Sequence, residues 1–183
     1  TAGGVRRAFR VISGDGSHVH GSRDIWEIDG TEYSAVAEHT PALGDVDNDG
    51  EPEIVGLLGP HEIVYPTTGF WGWVDQHHTH EPVCALVVLS ADGVLESAVT
   101  DIRCEAHSPA IADMDGDGMP DILVDRRVFE GDGLTELTDP LALATGARGA
   151  STSYWAGGIM VPVDLDGDGL MEGVTGSHIQ EWD

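Results

Sequence analysis

One acidic nonapeptide recurs three times in this chain, and its surroundings recur with it. His39 opens H-T-P-A-L-G-D-V-D-N-D-G-E-P-E-I-V, His107 opens H-S-P-A-I-A-D-M-D-G-D-G-M-P-D-I-L-V, and Gly158 opens G-I-M-V-P-V-D-L-D-G-D-G-L-M-E-G-V. The first aspartates of the three copies are Asp45, Asp113 and Asp164, 68 and then 51 residues apart. That period is too long for a heptad or a short solenoid and suits one supersecondary unit per repeat.

Each unit carries a short apolar stretch (Pro41 to Leu43, Pro109 to Ala112, Ile159 to Val163), the acidic loop, and a second apolar stretch (Glu53 to Leu58, Asp121 to Val124, Glu172 to Thr175). These are strand-like: short, rich in Val, Ile and Leu, and punctuated by Gly and Pro. Val83 to Ser90 and Glu96 to Ile102 flank Ala91-Asp92-Gly93, and Arg127 to Glu130 and Leu134 to Leu137 flank Gly131-Asp132-Gly133; Asp-Gly is a hairpin signal. Phe9 to Ile12 precedes Gly14-Asp15-Gly16, with Asp24 to Ile28 as its expected partner. No segment sustains a 3.6-residue apolar period with caps, so the expectation is an all-β chain. Four-stranded units repeated radially make a β-propeller. The expected division is 1–38 as the second half of a preceding blade, 39–106 as a blade with an inserted loop at 61–82, 107–157 as a blade, and 158–183 as the start of a further one. That is a partial propeller of about three blades where rings hold ~4–8, so more chain or further copies would complete it. More chain is the favoured reading, because both ends fall inside a unit.

The loop reads D-x-D-x-D-G-x-x-[DE]. Alternate carboxylates converge on one point in a tight turn, and Gly at the sixth position supplies a positive φ. The fourth position holds Asn48, Gly116 or Gly167, all tolerant of a left-handed backbone. Dense hard oxygen donors without Cys or imidazole select Ca²⁺. The side-chain ligands expected are Asp45, Asp47, Asp49 and Glu53; Asp113, Asp115, Asp117 and Asp121; and Asp164, Asp166, Asp168 and Glu172. The carbonyls of Glu51, Met119 and Leu170 complete the sets. An EF-hand begins the same way but needs a bidentate Glu at position 12, where this chain has Gly56, Val124 and Thr175. The expectation is therefore about three structural Ca²⁺ ions, not a helix-loop-helix switch.

The runs from Pro41 to Val55 and from Ser108 to Val124, with the more divergent Val163 to Gly169, resemble the FG-GAP/VCBS repeat family of integrin-α-like propellers. The third copy departs from the pattern: it lacks the His-[Ser/Thr]-Pro lead-in and has Met171-Glu172-Gly173 where the others have Pro-acid-aliphatic. The resemblance implies a bladed propeller holding Ca²⁺ in hairpin loops, secreted or surface-exposed, in adhesion proteins or as a module attached to enzymes. Its implied partners are other protein subunits or further blades of the same propeller. The location implied is extracellular, cell-surface or periplasmic.

The inserted loop holds Trp71, Trp73, His77, His78 and His80, a candidate ligand or partner surface: a transition-metal site, a platform for sugar rings, or an exposed polar loop with two tucked tryptophans. A carbohydrate-binding propeller, lectin-like or accessory to a polysaccharide-degrading enzyme, is thus the alternative function. Cys84 and Cys104 suit either one disulfide or two buried thiols. No G-x-S-x-G elbow, Walker loop or Rossmann glycine pattern is present, so no catalytic residue is assigned. All eight basic residues are arginines, against 33 acids and a net charge of −25. That argues against nucleic acid and anionic membranes as partners. The absence of lysine, with Asn48 the one asparagine, suggests a GC-rich bacterial source.

Overall fold

The computed structural model describes residues 9–35, 39–61, 83–103, 108–124, 127–137, 161–175 and 178–180. Among these residues the chain forms strands and turns with no helix. The strands are β1 (Phe9–Ile12), β2 (Val19–Arg23), β3 (Trp26–Ile28), β4 (Thr31–Ala35), β5 (Ala42–Gly44), β6 (Glu53–Pro60), β7 (Val83–Leu89), β8 (Leu95–Arg103), β9 (Ala110–Ala112), β10 (Asp121–Val124), β11 (Arg127–Glu130), β12 (Val161–Val163), β13 (Glu172–Thr175) and β14 (His178–Gln180). All pairings are antiparallel. They make a β1–β2 hairpin, a six-stranded sheet in the order β3-β4-β6-β7-β8 with β5 also on β6, and two three-stranded sheets, β9-β10-β11 and β12-β13-β14.

Each repeat builds the same piece: a three-residue strand, the acidic loop, and the strand that pairs back on it. Gly44 stands opposite Glu53, Ala112 opposite Asp121 and Val163 opposite Glu172. The β7–β8 hairpin forms around Ala91-Asp92-Gly93 as expected. The segment after Gly133 returns to β11 through one bridge, Phe129 to Glu136, rather than as a strand.

The N-terminal pairing differs from the expectation. β1 pairs with β2, not with Asp24 to Ile28. Asp15 Oδ1 accepts hydrogen bonds from Ser13 Oγ, Ser17 Oγ and the Ser17 N–H, and Gly16 takes φ 72°, so the turn closes at once and the next residues supply the partner. These hydrogen bonds hold the Asp15 carboxyl down at about 2. Trp26 to Ile28 pairs instead with β4 across Asp29-Gly30, both at positive φ, a two-residue hairpin turn. β4 and β5 then lie end to end along β6, β4 on Leu58 to Pro60 and β5 on Glu53 to Val55.

Strands β6 and β7 are buried on both faces, which explains their near-continuous apolar runs. One face (Ile54, Leu58, Ala85, Val87, Leu89) packs with Trp26, Ile28 and Tyr33 and is covered by Phe9 and Val11 of β1. Phe9 meets the Trp26 ring edge-on and sits over Gly56, where an added Cβ would come within 2.8 Å of it. The opposite face (Val55, Leu57, Leu86, Val88, Ile102) packs against Ile122, Val124, Phe129 and Leu134 of the next unit. Leu123 and Val128 turn the other way, towards Met171 of the third unit. The sheets therefore stack face against face in chain order. Strand β9 approaches both β5 and β12 without hydrogen-bonding to either.

A polar clasp spans the first join of the stack. Arg127 of β11 donates from Nε and Nη2 to the two carboxylate oxygens of Glu136 at 2.7 and 2.6 Å, and from Nη1 to Asp101 Oδ1 of β8 at 2.9 Å. Its guanidinium lies 4.8 Å from the centre of the Phe129 ring. The paired carboxylates, Glu136 first, raise the Arg127 pKa against the cost of its burial.

The second residue of each loop records the stacking. Val46 and Met114 are 0% and 1% exposed, each covered by the following unit, whereas Leu165 is 54% exposed, and among the described residues no sheet lies beyond it. Met114→Ala is expected to lower unfolding free energy by about 2–5 kcal/mol, the cost of a large-to-small change in a packed core, while Leu165→Ala changes it by under about 0.5 kcal/mol. Urea melts of the two variants check this. Gly131 is a second probe of the join, since a Cβ there would stand 2.1 Å from the Val46 carbonyl oxygen and 2.5 Å from that of Pro120. Both neighbours are backbone and cannot swing aside. Gly131→Ala is expected to destabilise by at least about 1–3 kcal/mol in the same assay.

Candidate metal centres

The three loops share one hydrogen-bonded scaffold. The acid at position nine reaches back beneath the loop and accepts the backbone N–H of position two: Glu53 from Val46 at 2.8 Å, Asp121 from Met114 at 2.7 Å, Glu172 from Leu165 at 2.6 Å. The first aspartate accepts the N–H of the sixth residue, Gly50, Gly118 or Gly169, at 3.0, 3.0 and 3.1 Å. The third-position aspartate accepts from the fifth residue and the fifth-position aspartate from the seventh, in all three loops. These bonds require a positive φ at positions four and six. The structure has it at Asn48 (62°), Gly116 (75°) and Gly167 (82°), and at Gly50 (97°), Gly118 (90°) and Gly169 (98°).

This scaffold gathers carboxylates. One oxygen each from Asp45, Asp47 and Glu53, from Asp113, Asp115 and Asp121, and from Asp164, Asp166 and Asp168 lie within 4.8 Å of one another in their respective loops. Asp49, Asp117 and Glu172 stand on the same loops, in the bonds just given. Glu51, Met119 and Leu170 occupy the seventh position, where each donates its N–H to the fifth-position aspartate. Trp71, Trp73, His77, His78 and His80 lie outside the described residues. Cys84 is buried and disulfide-bonded; Cys104, the other cysteine of the chain, also lies outside the described residues.

The electrostatics follow from the geometry. Glu53 and Asp121 are only 3% and 2% exposed. Burial raises the Asp121 carboxyl to about 6, with the charges of Asp115, Asp113 and Asp117 adding to it and the Met114 N–H opposing. Glu53 is raised for the same reasons: burial first, then Asp47, Asp49 and Asp45, against the Val46 N–H. Two like charges within 5 Å repel by on the order of 3 kcal/mol at an effective dielectric of about 20, so three converging carboxylates favour a multivalent cation or a shared proton. The first loop carries a further sign of an absent donor. Asp45 Oδ1 is buried without a hydrogen-bond partner, whereas Oδ1 of Asp113 and of Asp164 accepts the N–H of Gly116 or Gly167.

One member of this field was not legible in the motif. Glu96 is the extra residue of a β-bulge in β8, between Leu95 and Ser97, which pair with Leu89 and Val88. Its carboxyl is raised by partial desolvation and then by Glu53, Asp47 and Asp49, which places it in the field of the first loop. Bulges re-aim a side chain, but nothing in the local spacing around Glu96 announces one.

No protein-family model matches the chain, and no curated protein is similar to it in sequence. Among solved structures it is similar to the biofilm matrix protein Bap1 of V. cholerae, with a TM-score of 0.54 and 18% identity over 96% of this chain. The chain spans 23% of that protein's length, and at this identity the likeness is one of fold.

Asp121→Asn separates the two demands on the ninth position. The amide oxygen can still accept the Met114 N–H, and the change removes a buried charge. Metal-free protein is expected to melt at the same temperature or higher, while the affinity of any divalent cation titrated into this loop falls by roughly tenfold or more with the lost carboxylate charge. Calorimetric titration and thermal melts of the variant check the pair of outcomes.

Proposed function

We propose that this chain is a Ca²⁺-stabilised β-propeller segment of the FG-GAP/VCBS type, acting outside the cell in adhesion or protein assembly. The observation that carries the reading is the threefold recurrence of the loop scaffold, each copy drawing three carboxylate oxygens within 4.8 Å of one another. The donors fit a calcium ion: all are hard oxygens, no cysteine or imidazole joins them, and in the first loop a buried carboxylate oxygen lacks any other partner. Asp45, Asp47, Asp49 and Glu53, with Asp113, Asp115, Asp117, Asp121, Asp164, Asp166, Asp168 and Glu172, would hold the ions. The bound metal would neutralise each cluster and tie the short strand before the loop to the strand after it. The face-to-face stacking of successive sheets, with β5, β9 and β12 in neighbouring positions, supports the radial arrangement.

An extracellular setting is supported by the fold likeness to a biofilm matrix protein and by the disulfide at Cys84, since disulfides persist in oxidising compartments. No helix among the described residues is long and apolar enough to cross a membrane.

The test is thermal melting with Ca²⁺, with Mg²⁺ and with EDTA. A ligand that binds only the folded state at 100 times its Kd stabilises by about 2.7 kcal/mol per site. Chelation is therefore expected to lower the melting temperature by several degrees or more, with Ca²⁺ restoring it and Mg²⁺ restoring less. Identical melts in Ca²⁺ and EDTA would refute the metal reading.

A further inference from the structure

Building on the reading of the loops as Ca²⁺ sites, we propose that Glu96 is a fifth carboxylate of the first site, and that this site binds Ca²⁺ more tightly than the other two. Three copies of one motif then make two classes of site.

Two independent observations set the first loop apart. One lies inside it. The first aspartate of every loop accepts the N–H of the sixth residue through Oδ2. In the second and third loops Oδ1 is also taken, by the N–H of Gly116 at 2.8 Å and of Gly167 at 2.6 Å. In the first loop Asn48 stands at that position, its side-chain amide 3.7 Å from Met119 Sδ of the next loop, and Asp45 Oδ1 is buried with no hydrogen-bond partner. A carboxylate oxygen desolvated without a donor is costly, and a cation is a partner that converging carboxylates can share.

The other observation lies on a different strand. Leu95 and Ala98 of β8 both pack on the face that carries Leu89 and Trp26, although strict alternation sends residues three apart to opposite faces. The bulge at Glu96 absorbs the extra residue, with Leu95 opposite Leu89 and Ser97 opposite Val88. Leu89 in turn stands opposite Ile54, the neighbour of Glu53. Glu96 therefore leaves β8 at the end of the sheet where the first loop sits, two strands from Glu53. It is exposed, so its side chain is not locked by packing. The charges acting on it are those of Glu53, Asp47 and Asp49, all of the first loop. The charges that act most on Asp121 are those of its own loop, Asp115, Asp113 and Asp117.

The affinity of an oxygen cage for Ca²⁺ is tuned by the count of its charged ligands. Five carboxylates against four, with one oxygen already free of competing donors, make the first loop the tightest site. The same five repel one another when no cation is present, so Glu96 costs stability in the metal-free protein and adds it in the loaded one. A cation held from both sides would also fasten β8 to the loop between β5 and β6.

Calorimetric titration of the whole chain with Ca²⁺, with melts in Ca²⁺ and in EDTA, is the test. The parent is expected to show one site roughly tenfold or more tighter than the other two. Glu96→Gln should weaken that site by about tenfold and leave the weaker sites as they are. It should also lower the melting temperature in Ca²⁺ and hold or raise it in EDTA, a reversal that a merely structural role would not produce. Glu27→Gln removes the same charge from β3 and should match the parent throughout. Asp47→Asn should abolish the tight site and with it the effect of Glu96→Gln, whereas that effect should persist beside Asp166→Asn in the third loop. If Glu96→Gln fails to fold, Glu96→Ser takes its place with the same expected outcomes. Three equal sites in the parent, a Glu96→Gln titration that matches the parent's, or a loss no greater than that from Glu27→Gln would overturn the proposal and leave the metal reading standing. A parent that takes up no Ca²⁺ would overturn both.

Discussion

The hydrogen bond from the second loop residue to the acid at position nine is the constraint on which the rest of the molecule hangs. It joins the residue two past the end of a short strand to the first residue of its partner strand, seven positions on, as Val46 to Glu53, Met114 to Asp121 and Leu165 to Glu172. It also seats an acid beneath its own loop, where two of the three copies are nearly solvent-free. A carboxylate there is costly without donors or a cation, since desolvation disfavours its charged form. In the first two copies the second residue's apolar side chain packs against the following sheet. Loop closure, charge convergence and sheet stacking thus share one local geometry, which is why they recur together.

Much of this was legible because it is local. The D-x-D-x-D-G spacing dictates the turn, the glycines and Asn48 announce the positive φ angles, and the Asp-Gly at 92–93 marks the β7–β8 hairpin. The pairing of β1 departs from the expectation because Asp15 closes its turn through three hydrogen bonds that no periodicity reveals. The β3–β4 hairpin carries an Asp-Gly at 29–30, and Trp26-Glu27-Ile28 and Tyr33-Ser34-Ala35 alternate more and less buried positions, but strands of three and five residues make only a short periodic signal. That β4 continues along β6 beyond the end of β5 is a tertiary fact with no local mark. Glu96 was invisible for a similar reason: a bulge in β8, not a sequence spacing, puts it in the field of the first loop.

The stack gives the fold an unusual economy of contacts. Each described sheet packs only on its neighbours in chain order, so the apolar core is three adjoining layers instead of one centre. Stability in such an array approximates a sum of unit and nearest-neighbour terms. The middle layer, shared by the six-stranded sheet and β9–β11, draws on the largest buried strands, and loss of packing there would part the two halves.

Apolar layers attract without direction, since burial favours area and not angle. Close packing resists sliding, but hydrophobic burial by itself prefers no particular angle between two sheets. The Arg127 fork has no such freedom. It donates to both carboxylate oxygens of Glu136, its Nη1 reaches Asp101 on the neighbouring sheet, and the Phe129 ring lies alongside. A guanidinium held this way is a protractor: beside layers that attract without direction, it marks the angle at which the six-stranded sheet meets β9–β11.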